Sequence, residues 1–365
     1  MKIWKSLLLI LSTAIILSGT SMAASVSKIE TSQKSLDYQV VRAHSDGEFH
    51  NGLLFAMLSD ESFIYYNING QQAFSISDNL IAQSDFSEQR AIVKDKRTNL
   101  YGYINTIGQL VIPCSYSEVG NFTDGVAYVK NANTMEKVLI DRFGKIISTL
   151  NSLAEINSFS EGLAVSYDNE GDKIGYINKS GELTIPYIYT DARTFTNGLA
   201  LTQNNKGWYG YIDTKGNTII PFKYKSAGYF SNGGLAPAEN SNGKWGFIDK
   251  RGKTVIPFQY YNAGNFSEGL ASVSNSKGMI GFINTSGKLV INYLPYTKSS
   301  EFKEGIVLVG KGSGSSEKFG YIDRSGKLLT KMEYTFESSD FYQGVAVGIK
   351  ISGGAVLLTK STLLK

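Results

Sequence analysis

Residues 244–273 read KWGFIDKRGKTVIPFQYYNAGNFSEGLASV, and degenerate copies of this stretch recur from about residue 49 to the C-terminus. Trp245, Phe247 and Ile248 make a short β-rich run that ends at Asp249-Lys250-Arg251-Gly252, where Asp at the first and Gly at the fourth position suit a β-turn. Thr254-Val255-Ile256 returns as a second strand. Pro257 then removes a ladder donor, which ends that strand or keeps it at a sheet edge. Tyr260, Ala263 and Phe266, at i, i+3 and i+6, predict a compact connector too short for a helix of its own. Phe266-Ser267-Glu268-Gly269 turns again, and Leu270-Ala271-Ser272-Val273 alternates as a third strand. Each unit therefore reads as a three-stranded meander of about 36 residues.

The phenylalanine of the second turn recurs as Phe49, Phe86, Phe122, Phe159, Phe195, Phe230, Phe266, Phe302 and Phe341. The hairpin glycine keeps the same time as Gly70, Gly108, Gly144, Gly181, Gly216, Gly252, Gly287 and Gly326. Two independent series with one spacing identify a repeat architecture. The recurrent Phe is the expected core, its burial worth roughly 1.5–3 kcal/mol. Three residues before each hairpin glycine stands Asn67, Asn105, Asp141, Asn178, Asp213, Asp249, Asn284 or Asp323. A metal ligand or an acid would not tolerate exchange with the amide, whereas a side chain capping its own turn tolerates either, so these are read as turn caps. Glu88, Glu161, Glu268 and Glu304 in the Phe-x-x-Gly turn, where Asp124, Asn197 and Asn232 also occur, are read as solvated turn residues.

Residues 1–23 combine Lys2 and Lys5 with an apolar run from Ser6 to Leu17 and end at Ser21-Met22-Ala23, the pattern of a signal peptide cleaved after Ala23. Residues 24–36 read as a flexible leader and 37–365 as the repeat domain. Export to the envelope or medium is the expected localisation, and no later apolar run is long enough for a membrane span. Cys114 is the single cysteine, so packing and not disulfides must hold the fold. The net charge is +4, with signs interspersed, which argues against a nucleic-acid partner. Near the N-terminus Tyr38–Val41 falls where other units have the second hairpin strand, while Val356-Leu357-Leu358 near the C-terminus lacks that partner. What one end lacks the other has.

Single-copy groups that could do chemistry are few. His44 and His50 have no Cys beside them, Cys114 has no neighbouring His, and no glycine-rich phosphate loop opens a helix, so no catalytic residue, metal site or cofactor is assigned. The off-consensus residues Trp208, Tyr209, Tyr229, Tyr261 and Arg193 are the candidate binding residues, since aromatic faces with interspersed cations serve protein and glycan recognition.

At Lys244-Trp245-Gly246-Phe247-Ile248-Asp249, Val255-Ile256-Pro257 and Phe266-Ser267-Glu268-Gly269-Leu270-Ala271 the chain resembles the bacterial WG-repeat family, over about residues 49–358. Tyr101, Tyr209 and Phe319 replace the Trp with the Gly following, and Phe63 and Lys137 keep neither. The resemblance implies an exported or surface protein of β-repeats that mediates interactions. A three-stranded unit must stack on its neighbours to bury both faces. The complementary ends favour an all-β, propeller-like closed ring, with an open superhelix as the alternative. The reading is an exported, non-enzymatic scaffold for a protein or cell-envelope glycan. Its rivals are a glycan-acting enzyme with acids at the mouth of a ring and a purely structural surface protein.

Overall fold

The computed structural model describes residues 33–35, 40–43, 49–58, 62–150, 156–168 and 170–364. The expected signal peptide and most of the leader, like His44, lie outside them. Each repeat is a small antiparallel sheet. In the unit quoted above, Ser226–Ala227, Leu235–Glu239, Trp245–Asp249 and Thr254–Tyr260 pair in that order. The unit has four strands and not three, because the expected compact connector is extended chain. After a bend at Tyr261, Asn262–Ala263 is already the first strand of the next sheet. One segment thus serves two sheets, and burying Tyr260, Ala263 and Phe266 between them explains their spacing. In Leu110–Val119 the bend is absent and two units join as one seven-stranded sheet. Counting that sheet twice, the eight sheets make nine units among the described residues.

Pro257 stays on the sheet edge, as expected, inside a bulge. Phe247 faces Ile256 while Trp245 faces Tyr260, so the outer strand carries two extra residues there, and Pro257 sits where no ladder N–H is required. The bulge presses on Gly246, where a Cβ would lie 2.7 Å from the Ile256 carbonyl oxygen and 2.9 Å from the Pro257 carbonyl carbon. Gly102 meets Ile112 and Pro113 in the same way. Trp-Gly and Ile-Pro are the two halves of one feature.

All nine recurrent phenylalanines are buried, none more than 6% exposed. Each reaches back to the third strand of the preceding unit: Phe122 packs on Tyr103, Phe195 on Tyr176, Phe230 on Tyr211 and Phe266 on Phe247, with centroids 4.7–4.9 Å apart. Where that partner is tyrosine, its hydroxyl donates across the seam, to the carbonyls of Gly120, Arg193 and Gly228, at 2.7 Å each.

The turn caps are as read: Oδ1 of Asp249 accepts the N–H groups of Arg251 and Lys253, both at 2.9 Å, and Oδ1 of Asn284 those of Ser286 and Lys288. The Phe-x-x-Gly turn differs from expectation. Glu268 and Gly269 both take positive φ, +49° and +79°, and the Glu268 carboxylate accepts the N–H groups of Glu304 and Gly305 in the next unit at 2.6 and 2.8 Å. Glu88 holds Gly125, Asp124 holds Gly162, Glu161 holds Gly198 and Glu304 holds Gly344 likewise. These acids are latches between successive turns, not merely solvated residues.

The ring is closed. Gln33–Ser35 pairs antiparallel with Ala355–Thr359, Gln33 opposite Leu358, and Phe49, Leu54 and Tyr66 of the first sheet pack on Val345, Val347 and Leu357 of the last. The closing strand is therefore Gln33–Ser35, within the stretch read as leader, and the repeat fold begins earlier than residue 37. Val40–Ala43, overlapping the stretch expected to close the ring, pairs instead with Leu53–Leu58 of the first sheet. Gln33–Ser35 thus serves the last sheet and Val40–Ala43 the first. Among the described residues the helices are the short turns Gly314–Ser316 and Lys360–Leu363. No helix among them is long and apolar enough to cross a membrane.

Candidate functional site

The crossover from fourth to first strand and the turn from second to third strand lie side by side, so a unit that loses bulk there opens a recess. The unit of Phe266 does so. Position 272 is serine where other repeats bury Leu201, Pro237 and Leu308, and position 280 is isoleucine, as Ile174 is, where the two preceding units carry Tyr209 and Trp245. Gly264 faces the Ser272 hydroxyl so closely that a Cβ would lie 2.6 Å from Oγ. A groove of about 490 Å³ results, with Asn262, Ser272, Ser274, Ile280, Thr297 and Ser299 in its walls. Ser274 is shared with a second recess of about 310 Å³, where Tyr260, Tyr261 and Tyr293 gather with Gln259 and Asn275. Tyr261 is 52% exposed, and the Lys244 ammonium sits 3.2 Å from its ring centroid, a cation–π contact that fixes the ring. Burial, then Tyr260, pushes the Tyr293 phenol up. The pair of recesses thus offers aromatic surface, amides and hydroxyls, with Lys244 at its edge and Lys298, paired with Glu317 at 2.7 Å, in the wall of the groove.

The other candidates do not converge there. Tyr209 is half-buried and donates to Asp191 Oδ2 at 2.8 Å; burial, then that carboxylate, raises its pKa. Arg193 lies 3.4 Å from the same oxygen, so these two form one cluster. Trp208, half-buried, donates its backbone N–H to the Asn204 side chain. Tyr229, exposed, donates its backbone N–H to Asn265 Oδ1 at 3.2 Å. The five span three successive units. Asn262, Ser272 and Ile280 were missed; at Ser272 the signal was loss of bulk where other repeats bury Leu201 and Leu308, whereas Asn262 has polar counterparts in Asp191, Ser226 and Lys298 and Ile280 an identical one in Ile174, so neither stands out from the repeat. A third recess, of about 430 Å³, recurs at equivalent positions around Glu118 and Tyr128. There Lys130 donates to Glu118 at 2.8 Å and holds its carboxyl below the usual range. No group of three His, Cys, Asp or Glu side chains is placed to hold a metal among the described residues.

A model of the WG containing repeat matches residues 101–134, 174–208, 209–245, 245–277, 280–313 and 319–347, together more than half of the chain. No curated protein matches. Among solved structures, BamB from Moraxella catarrhalis is similar at 10% identity over 90% of this chain and 97% of that one, with a TM-score of 0.43. The WD40 domain of SCAP from fission yeast is similar at 9% identity over 91% and 97%, with a TM-score of 0.42. The closed ring rests on its own strand pairing. With the family match spread over six of its units, the chain belongs to the WG containing repeat family.

Proposed function

We propose that the protein is an exported, non-enzymatic binding scaffold whose partner is a cell-envelope glycan, held at the two recesses that share Ser274. The observation that carries this reading is the meeting of Tyr260, Tyr261 and Tyr293 with the amide and hydroxyl lining of the adjoining groove. Sugar rings present C–H faces that lie on aromatic surfaces and hydroxyls that exchange hydrogen bonds with neutral polar groups. A protein partner would favour a broader apolar centre than these recesses offer. Export rests on the sequence of residues 1–23. A glycan-cleaving enzyme would need two carboxylates flanking the bond; of the three recesses only the one at Glu118 has a carboxylate in its walls, and Lys130 engages it.

The test is retention of residues 24–365 on isolated envelope polysaccharides. Tyr261→Ala and Ser272→Leu, the latter filling the groove as other repeats do, are each expected to weaken retention about tenfold or more, about 1.4 kcal/mol. Retention unchanged by both variants, or turnover of the glycan, would overturn the reading.

A further inference from the structure

Two neighbouring units break the repeat elsewhere, at the tip of the hairpin between third and fourth strands. At the third position of that turn six units carry Asn69, Ser180, Lys215, Arg251, Ser286 and Ser325, but the two between carry Ile107 and Phe143. Ile107 is 62% and Phe143 84% exposed. The strands they lead into open with Leu110-Val111 and Ile146-Ile147, all four exposed as well. The two tips are contiguous, because Gly144, beside Phe143, rests on Ile112, where a Cβ would lie 3.4 Å from Cγ2, next to Val111. Six exposed apolar side chains therefore lie on two adjacent hairpins of the seven-stranded sheet. An isolated soluble domain seldom leaves such a strip in water.

The charge beside the strip says what covers it. Arg142 precedes Phe143 and Lys145 follows it. Arg90 comes over from the preceding unit and donates from Nε at 3.0 Å and Nη2 at 2.8 Å to the Arg142 carbonyl. Among the described residues none of these three cations is in an ion pair. Burial, and then the charge of Arg142, lowers the Arg90 pKa. The nearest acid in sequence, Asp141, is committed to its own turn, accepting from the N–H groups of Phe143 and Lys145. A protein partner of apolar character would leave three cations unanswered, whereas a layer of phosphates over hydrocarbon answers both features at once.

We propose that this edge of the ring docks on an anionic phospholipid surface, with Phe143 and Ile146 entering the boundary between headgroups and acyl chains and Arg90, Arg142 and Lys145 meeting phosphates. The strip lies four units from the recesses around Ser274, so a docked ring keeps them free, and the proposal does not depend on what they bind.

Vesicle flotation of residues 24–365 tests it, with phosphatidylglycerol mixed into phosphatidylcholine against phosphatidylcholine alone. Flotation with the anionic vesicles only is expected, weakened by added salt. The double variant Phe143→Ser with Ile146→Ser, and separately Arg90→Gln with Arg142→Gln, should each lower it about tenfold or more. Phe143→Trp should shift its emission to the blue on anionic vesicles. Thermal melts of each variant report folding, and the exposed Phe143→Trp keeps a readout if a double variant melts early. Absence of flotation, equal flotation of the Ser variant, or self-association abolished by the Ser variant without any lipid dependence would each overturn it.

Discussion

A missing methyl group decides how tightly two strands approach at Gly246. The bulge at Ile256-Pro257 occupies the space a Cβ would need, and the obstacle is backbone, which cannot swing aside. Gly246→Ala should therefore lower stability by about 1–3 kcal/mol, as overpacking does, read from urea midpoints; a loss within about 0.5 kcal/mol, as at an unconstrained surface site, would show that the bulge yields. The glycine was legible as a motif, its reason was not, because the bulge forms with a strand ten residues further on. The Asn/Asp turn caps were legible in full, since the determinant is one Oδ1 and two N–H groups within five residues. Glu268 was misread for the opposite reason: its partners, Glu304 and Gly305, sit one repeat later, and no local spacing announces a hydrogen bond across that distance.

At the scale of strands, the seam between sheets is an aromatic pair whose hydroxyl is optional. Tyr103, Tyr176 and Tyr211 donate across it, whereas Phe247 and Phe282 fill the same place without a hydroxyl. Tyr211→Phe should remove a hydrogen bond and leave the Gly228 carbonyl short of a donor, about 1 kcal/mol at neutral pH. The alkaline limb gives a sharper readout. Burial foremost, with neighbouring phenols or acids adding, pushes the phenols of Tyr65, Tyr103, Tyr176, Tyr211 and Tyr321 above their ordinary value. A raised folded pKa means that the unfolded chain ionises first: stability is whole below about pH 10 and falls above it, by about 1.4 kcal/mol per pH unit for each such tyrosine. Urea unfolding between neutral and alkaline pH should show that fall, with a slope shallower by one tyrosine's share in Tyr211→Phe. An unchanged slope would mean the Tyr211 hydroxyl is open to water. The strand count was the part of the unit hardest to see in advance. Pro257 looks like a terminator, and only the pairing of Asn262–Ala263 with the following sheet shows the chain continuing extended past it.

At the scale of the ring, closure rests on few contacts made by the two ends of the described chain. The complementary termini were legible because one end had a strand too few and the other a strand too many. Which segment closes was not, since Gln33–Ser35 and Val40–Ala43 are both β-strands and differ in the sheet each joins. The candidate recesses were less legible still. Four of the five residues picked for being unusual lie outside them, because the groove beside Ser272 is lined mostly by small polar residues that no unusual aromatic marks. The closing strand adds three ladder positions to Ala355–Thr359 and covers an edge that would otherwise invite pairing with another chain. A chain beginning at residue 40 should thus lose about 2–4 kcal/mol relative to one beginning at residue 24, at about 1 kcal/mol per ladder hydrogen bond. It should also associate as its concentration rises, the free edge of one ring pairing with that of another. Thermal melts and sedimentation velocity of the two chains separate these effects. A shortened chain that stays monomeric and melts with the longer one would mean that the packing of Phe49, Leu54 and Tyr66 on Val345, Val347 and Leu357 closes the ring without its strand.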